Sequence, residues 1–221
     1  TDTHFEYLKL CLESKVRLIV CEKPISNSIS ELDDIMSLYI SGESKIVVNY
    51  FRRFLNSYLH LRNEFFYKKQ VFKEIHVKYY KGFLNNCGHA FDTIEFLTET
   101  NMNPISIIML KRDFDFFKDD PTITATFFSN DIKFKVEGSD LNHKTFEILF
   151  TCENQEILLK DSGNKIEISQ NGVLNFESDD LIKNYMTDLY SEIENIYYDN
   201  KLSDNFHNSI MLNRKQILHF I

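Results

Sequence analysis

Two side chains of this sequence combine a reactive group with a setting in which it can move a proton. His89 stands where the turn-prone residues Asn85, Asn86, Cys87 and Gly88 of GFLNNCGHAFDTIEFL run into an amphipathic stretch. Imidazole exchanges protons near neutral pH. At a helix start, the backbone amides and dipole disfavour its charged form, which suits a general base. Asp92, three residues on, shares that helix face and is placed to orient the ring or to pull its pKa back up. The plainer alternative is a structural histidine. Lys23 follows the apolar run of RLIVCEKP, at the carboxyl edge of a strand, where open α/β sheets hold their ligands. An ammonium there stabilises alkoxide character on a substrate hydroxyl and helps its proton leave. The alternative is an ordinary surface lysine after a strand.

Other candidates surround these two. Arg52 and Arg53 sit in NYFRRF, and a guanidinium at a strand end suits a phosphate, a carboxylate or sugar hydroxyls. Strand alternation sends the two arginines to opposite faces, so one of them reaches a cleft. Asn49, Tyr50, Tyr80 and Lys81 flank the same region. Asn85 and Asn86 either touch a ligand or form the turn and cap the helix behind it. The run DFDFFKDD (113–120) reads as core and edge packing with solvated acids. The remaining histidines (4, 60, 76, 143, 207 and 219) show no metal-ligand spacing, and no GxSxG, HExxH or P-loop occurs. The four cysteines form no CxxC pair, so a zinc cluster is not expected and a reducing cytoplasm is the simplest setting.

The elements that must position these residues change character along the chain. A capping-box pattern at Thr3–Glu6 opens a helix carrying Phe5, Leu8 and Leu12. LIVC then reads as a strand buried on both faces. A second capping box, SISE, opens a helix with Leu32, Ile35 and Tyr39 that stops near Gly42, and KIVVNY is another strand. Residues 1–50 therefore read α-β-α-β, the logic of a doubly wound domain. Residues 54–67 look helical and EIHVKYY alternates as a half-buried strand. From 104 to 176 closely spaced strand patterns, broken by turn signals, predict one large and mostly antiparallel sheet. Amphipathic helices over 179–198 and 210–221 close the chain. With 43% hydrophobic and 26% charged residues in 221, the composition is that of a globular protein. The net charge of −8 argues against nucleic acid or an anionic membrane as the main partner. No apolar run is long enough to span a bilayer.

Three landmarks in order, TDTHFEYLKLCLES–RLIVCEKPIS, VVNYFRRF and GFLNNCGHAFDTIEFL, resemble the glucose–fructose oxidoreductase/inositol dehydrogenase/MocA family of nicotinamide-dependent oxidoreductases. The resemblance implies an α/β chain in two parts. Residues 1–51 would be the carboxyl-terminal part of a Rossmann domain, and 52–221 an α+β substrate and oligomerisation domain with a large sheet. The six glycines include no GxGxxG, so the phosphate-binding first third of that Rossmann domain is expected to lie outside this sequence. By the same resemblance Lys23 and His89 are the catalytic pair, with a cis bond between Lys23 and Pro24. Glu22, Lys23, Pro24 and Asn49 would face an NAD or NADP cofactor. Arg53, Tyr80, Asn85, Asn86 and Asp92 would line the substrate site. Many members carry an aspartate where this chain has Asn85, which hydrogen-bonds but takes no proton. The implied activity is hydride transfer between NAD(P) and a carbinol or keto carbon of a sugar-like, nucleotide-sugar or cyclitol substrate, in a cytoplasmic homodimer or homotetramer. A non-catalytic sugar-binding or subunit-association module derived from the family is the alternative, kept open by Asn85.

Overall fold

In the computed structural model, residues 3–66, 70–100, 102–117, 119–140, 145–199 and 204–221 are described, the side chains of 114–116 apart. His143, Tyr67 and much of the phenylalanine run 114–118 lie outside that description. Helix α1 (His4–Glu13) leads into β1 (Leu18–Cys21), and α2 (Ile29–Ser41) into β2 (Lys45–Val48). The two strands pair in parallel, Leu18 opposite Lys45 and Cys21 opposite Val48. Leu8 and Leu12 of α1, and Leu32 and Ile35 of α2, are the buried residues of the predicted apolar stripes.

Three local expectations need correction. Strand β1 is not buried on both faces: Ile19 and Cys21 face inward while Val20 is 51% exposed. Neither capping box forms, for neither Thr3 nor Ser28 makes a side-chain cap bond. Around α2 the reason is competition from Ser26. Its Oγ accepts the Ser28 amide at 2.9 Å and binds the Glu31 carboxylate, which removes both partners from the box. Third, FRRF is a 3₁₀ turn (Phe51–Phe54) rather than a strand end, so strand alternation does not dispose the arginines.

A short helix, α3 (Asn56–Leu61), continues through a π-helical turn (Arg62–Phe66) to β3 (Glu74–Tyr80). A second π-helical turn (Phe83–Cys87) runs directly into α4 (Gly88–Thr98). The remaining strands are β4 (Ser106–Phe117), β5 (Asp120–Ser129), β6 (Ile132–Ser139), β7 (Phe146–Thr151), β8 (Gln155–Lys160), β9 (Lys165–Gln170) and β10 (Val173–Ser178), followed by helices α5 (Tyr185–Tyr198) and α6 (Phe206–Phe220). Strands β3 to β10 form one eight-stranded sheet in the order β10-β9-β8-β7-β3-β6-β5-β4. Every pairing is antiparallel except β3 with β6, which confirms the large, mostly antiparallel sheet.

Alternation divides that sheet into two faces. Ile75, Val77 and Tyr79 of β3 point into the core, where Phe83, Phe91, Phe127, Phe134 and Phe220 pack ring on ring. The other face carries charge ladders, Glu74 between Lys133 (3.1 Å) and Lys135 (2.9 Å) and Lys78 beside Glu147. Among the described residues no helix is long and apolar enough to cross a membrane.

Candidate active site

The carboxyl ends of β1, β2 and β3 deliver one residue group each to a common place, as open α/β sheets do. Beyond β1 come Glu22, Lys23 and Pro24, joined by the expected cis Lys23–Pro24 bond. Beyond β2 come Asn49, the fully buried Tyr50 and then the 3₁₀ turn. Beyond β3 the chain reverses at Lys81 and Gly82, both at positive φ, and winds through the π-helical turn into α4 and His89.

Lys23 and Asn85 are locked together. The Lys23 ammonium donates to the Asn85 carbonyl at 2.6 Å and also to its side-chain Oδ1. With three donors on an ammonium, one N–H remains for a ligand. Burial pushes the Lys23 pKa down to about 8, aided by the Arg52 charge and opposed by Glu22 and Asp120. His89 is half-buried. Burial, then the positive charges of Lys23 and Arg52, hold its pKa well below the usual imidazole range. Its ring meets Tyr50 and Phe51 edge-on, each at 5.8 Å between centroids. The helix-start argument for this depression does not hold, because winding already begins at Phe83 and His89 is inside it.

The other predicted residues divide into two groups. Asn49 donates from Nδ2 to Glu22 at 2.7 Å, tying the ends of β1 and β2, while its buried Oδ1 has no partner among the described residues. Asn86 is spent on the turn, donating to the carbonyls of Tyr80 (2.7 Å) and Lys81 (2.6 Å). Tyr80 is half-buried beneath the Lys81 ammonium, 4.9 Å from its ring centroid. Arg53 and Asp92 pair with one another, Nε to Oδ1 at 2.6 Å. Asp92 therefore does not orient His89. A carboxylate with 1% of its surface exposed calls for a cation, and the 3₁₀ turn supplies Arg53 through its Nε.

Sequence reasoning missed Asp120 and passed over Arg52. Asp120 is buried rather than a solvated acid, and its carboxylate accepts the amides of Leu84 (2.7 Å) and Asn85 (3.1 Å). Burial pushes its pKa up, while those amides and Lys23 pull it back. Arg52 lies between the rings of Phe51 and Phe146, at 4.6 and 4.2 Å, and donates to the Ser162 carbonyl at 2.6 Å. A DDP tripeptide after a strand was the only available signal for Asp120. It reads equally well as a plain turn.

No protein-family model matches the sequence, and no curated protein matches it. Solved structures do. An inositol dehydrogenase homolog from Azotobacter vinelandii, complexed with NADH and myo-inositol, aligns with a TM-score of 0.74 at 13% identity, covering 99% of this chain and 72% of that one. The dehydrogenase MviM from Clostridium difficile aligns at 0.71 and 14% identity, over 98% and 74% of the two chains. The fold is that of the glucose–fructose oxidoreductase/inositol dehydrogenase/MocA family. Within this same fold stands the transcriptional regulator Gal80p from Kluyveromyces lactis, with a TM-score of 0.74 at 12% identity over 99% of this chain and 69% of that one. The glucose–fructose oxidoreductase-type fold therefore leaves the choice between catalysis and regulation to the site itself.

Proposed function

We propose that this chain is the greater part of a nicotinamide-dependent oxidoreductase acting on a carbinol or keto carbon of a sugar-like substrate. The observation that carries the reading is that the ends of separate strands bring together a half-buried lysine held by Asn85 and a half-buried histidine whose charged form is disfavoured by burial and by that lysine. In the oxidative direction the His89 imidazole takes the hydroxyl proton, and the remaining Lys23 N–H donates to the oxygen as charge develops there. Reduction runs the same proton backwards. Asn85 holds the ammonium in place, and the rings of Tyr50 and Phe51 meet His89 edge-on.

A nicotinamide cofactor fits the residues present at this edge. The buried Asn49 Oδ1, without a partner among the described residues, is an acceptor suited to a carboxamide N–H, and Glu22 holds the same side chain through its Nδ2. When bound, the cofactor supplies or accepts the hydride. No GxGxxG occurs in these 221 residues, so the pyrophosphate is not assigned a cradle here. The second reading, a regulatory or sugar-binding module, is favoured by Asn85, which cannot take a proton, and by the Gal80p likeness.

A turnover screen of the intact gene product against polyols and nucleotide sugars, with NAD(H) and NADP(H), separates the two readings. His89→Ala is expected to lower kcat by about 10²–10⁴-fold while cofactor affinity changes little. Comparable turnover in the variant sinks the assignment of His89. The active form needs neutral His89 and protonated Lys23. Hence kcat/KM should fall as pH rises through about 8, with its acid limb below the ordinary imidazole range. A profile flat from pH 7 to 9 would count against Lys23.

A further inference from the structure

The immediate partner of Lys23 is neutral. Both contacts of its ammonium are oxygens of Asn85, and among the described residues no carboxylate lies within ion-pair distance of it. A partly buried ammonium held only by neutral oxygens loses solvation without gaining a countercharge. The charged groups facing it are Glu22 at its own strand end, Arg52 on the 3₁₀ turn and Asp120 at the start of β5, with the titratable but neutral His89 on α4. Glu22 contributes the larger share of negative charge, but it is exposed and engaged with Asn49.

Asp120 differs from Glu22 in being built into the turn. With 9% of its surface exposed, it sends Oδ1 to the Leu84 amide and Oδ2 to the Asn85 amide. Next to it, Thr122 Oγ1 accepts the Gly82 amide at 2.9 Å. Gly82 has φ +72, and a Cβ there would lie 2.7 Å from Asp120 Oδ2 and 3.1 Å from the Phe117 ring. Only glycine admits both the backbone reversal and the carboxylate beneath it. The anion thus sits under the first amides of the helical winding, where the dipole also favours it.

We propose that Asp120 is a positioning residue for Lys23, fixing Asn85 through its backbone amide and supplying the negative charge that Asn85 lacks. The β4–β5 junction thereby acts on the lysine through the turn at 83–87, without touching a ligand. The inference rests on the reading of Lys23 as a proton-handling group, but its test needs neither substrate nor cofactor.

The experiment is competitive acetic anhydride labelling across pH 6 to 10, with Lys23 modification read by mass spectrometry. Asp120→Asn should move the Lys23 midpoint downward and raise its labelling at pH 7 about three- to fivefold. Thr122→Val, which loosens the same turn without removing charge, should leave the midpoint in place. An unmoved midpoint in Asp120→Asn, or an equal shift in Thr122→Val, overturns the proposal. Should Asp120→Asn fail to fold, carbon-13 NMR of the Asp120 carboxyl in Lys23→Met decides the matter. Its titration must rise when the lysine charge is removed, and an unchanged titration overturns the proposal. A shifted lysine in a protein without dehydrogenase turnover refutes the proposed reaction and keeps the Asp120 assignment. The converse pattern does the reverse.

Discussion

A buried ion pair reveals its role through pH. Burial raises the Asp92 carboxyl to about 6 even though Arg53 and its hydrogen bond pull it down. A carboxyl whose folded pKa lies above its unfolded value favours folding below the unfolded pKa, and that contribution is lost as pH rises through about 6. At neutral pH the ionised Asp92 is therefore tolerated because Arg53 faces it. Arg53→Met should destabilise the protein by about 3–5 kcal/mol at pH 7.5, since it strands a buried charge. The loss should shrink at pH 5.5, where the stranded carboxyl is protonated. The double variant Arg53→Met, Asp92→Leu should lie much closer to wild type at both pH values. Urea denaturation of the three proteins measures this, and an equal cost for Arg53→Met at both pH values would exclude the explanation.

Local geometry at the β8–β9 turn is what fixes Arg52, the arginine whose charge acts on both Lys23 and His89. Ser162 and Gly163 both have positive φ, the Ser162 carbonyl accepts Arg52 Nη2, and the Gly163 carbonyl accepts the Tyr58 hydroxyl at 2.7 Å. A Cβ on Gly163 would lie 2.6 Å from Tyr58 Oη and 2.8 Å from Arg52 Nε, and Tyr58 is fully buried. Gly163→Ala should therefore cost about 2–4 kcal/mol, strain and overpacking together. Gly172 supplies the control. It has φ +78 with nothing within 4 Å of its Cβ position, so Gly172→Ala should cost only about 1–2 kcal/mol. Equal melting-temperature losses for the two would show that the close approach of Gly163 to Tyr58 and Arg52 adds nothing. This turn also shows what was legible beforehand. The strands around it follow from period-two alternation, as do β3 and β5 to β7, because one face is packed, whereas the edge strands β4 and β10 are exposed without alternation. Lys23 and His89 stand out as candidates because each lies in a short quotable motif beside a strand or a helix. The contacts of Asp120, Arg52 and the Arg53–Asp92 pair run across 35 to 110 positions of sequence, which no local pattern encodes. The capping boxes failed for the opposite reason, since a nearby Ser26 competed for the same groups.

The two-stranded and eight-stranded sheets are joined by a strap at the end of the chain. At its start, Asn205 mimics a neighbouring strand. Its side chain accepts the Val48 amide at 2.8 Å and donates to the Val48 carbonyl at 2.9 Å, while Asp204 accepts the Ile46 amide at 2.6 Å. These bonds close the edge of β2 that would otherwise invite another chain. Midway along α6, Asn213 accepts the Ser26 amide, three residues past Lys23. At its end, Phe220 packs within 5.1 Å of both Phe83 and Phe127, beneath the large sheet. One helix thus fixes the β1 side of the site relative to the α4 side, and the separation of Lys23 from His89 depends on it. Phe220→Ala should cost about 3–5 kcal/mol through the cavity it leaves. If α6 couples the sheets, the variant should still unfold in one transition. Hydrogen exchange should then lose protection in β1 and β2 by as much as in β3 and β6. Wild-type protection of β1 and β2 in a variant whose large sheet exchanges faster would show two independent units, and the geometry of the pair would then need another support.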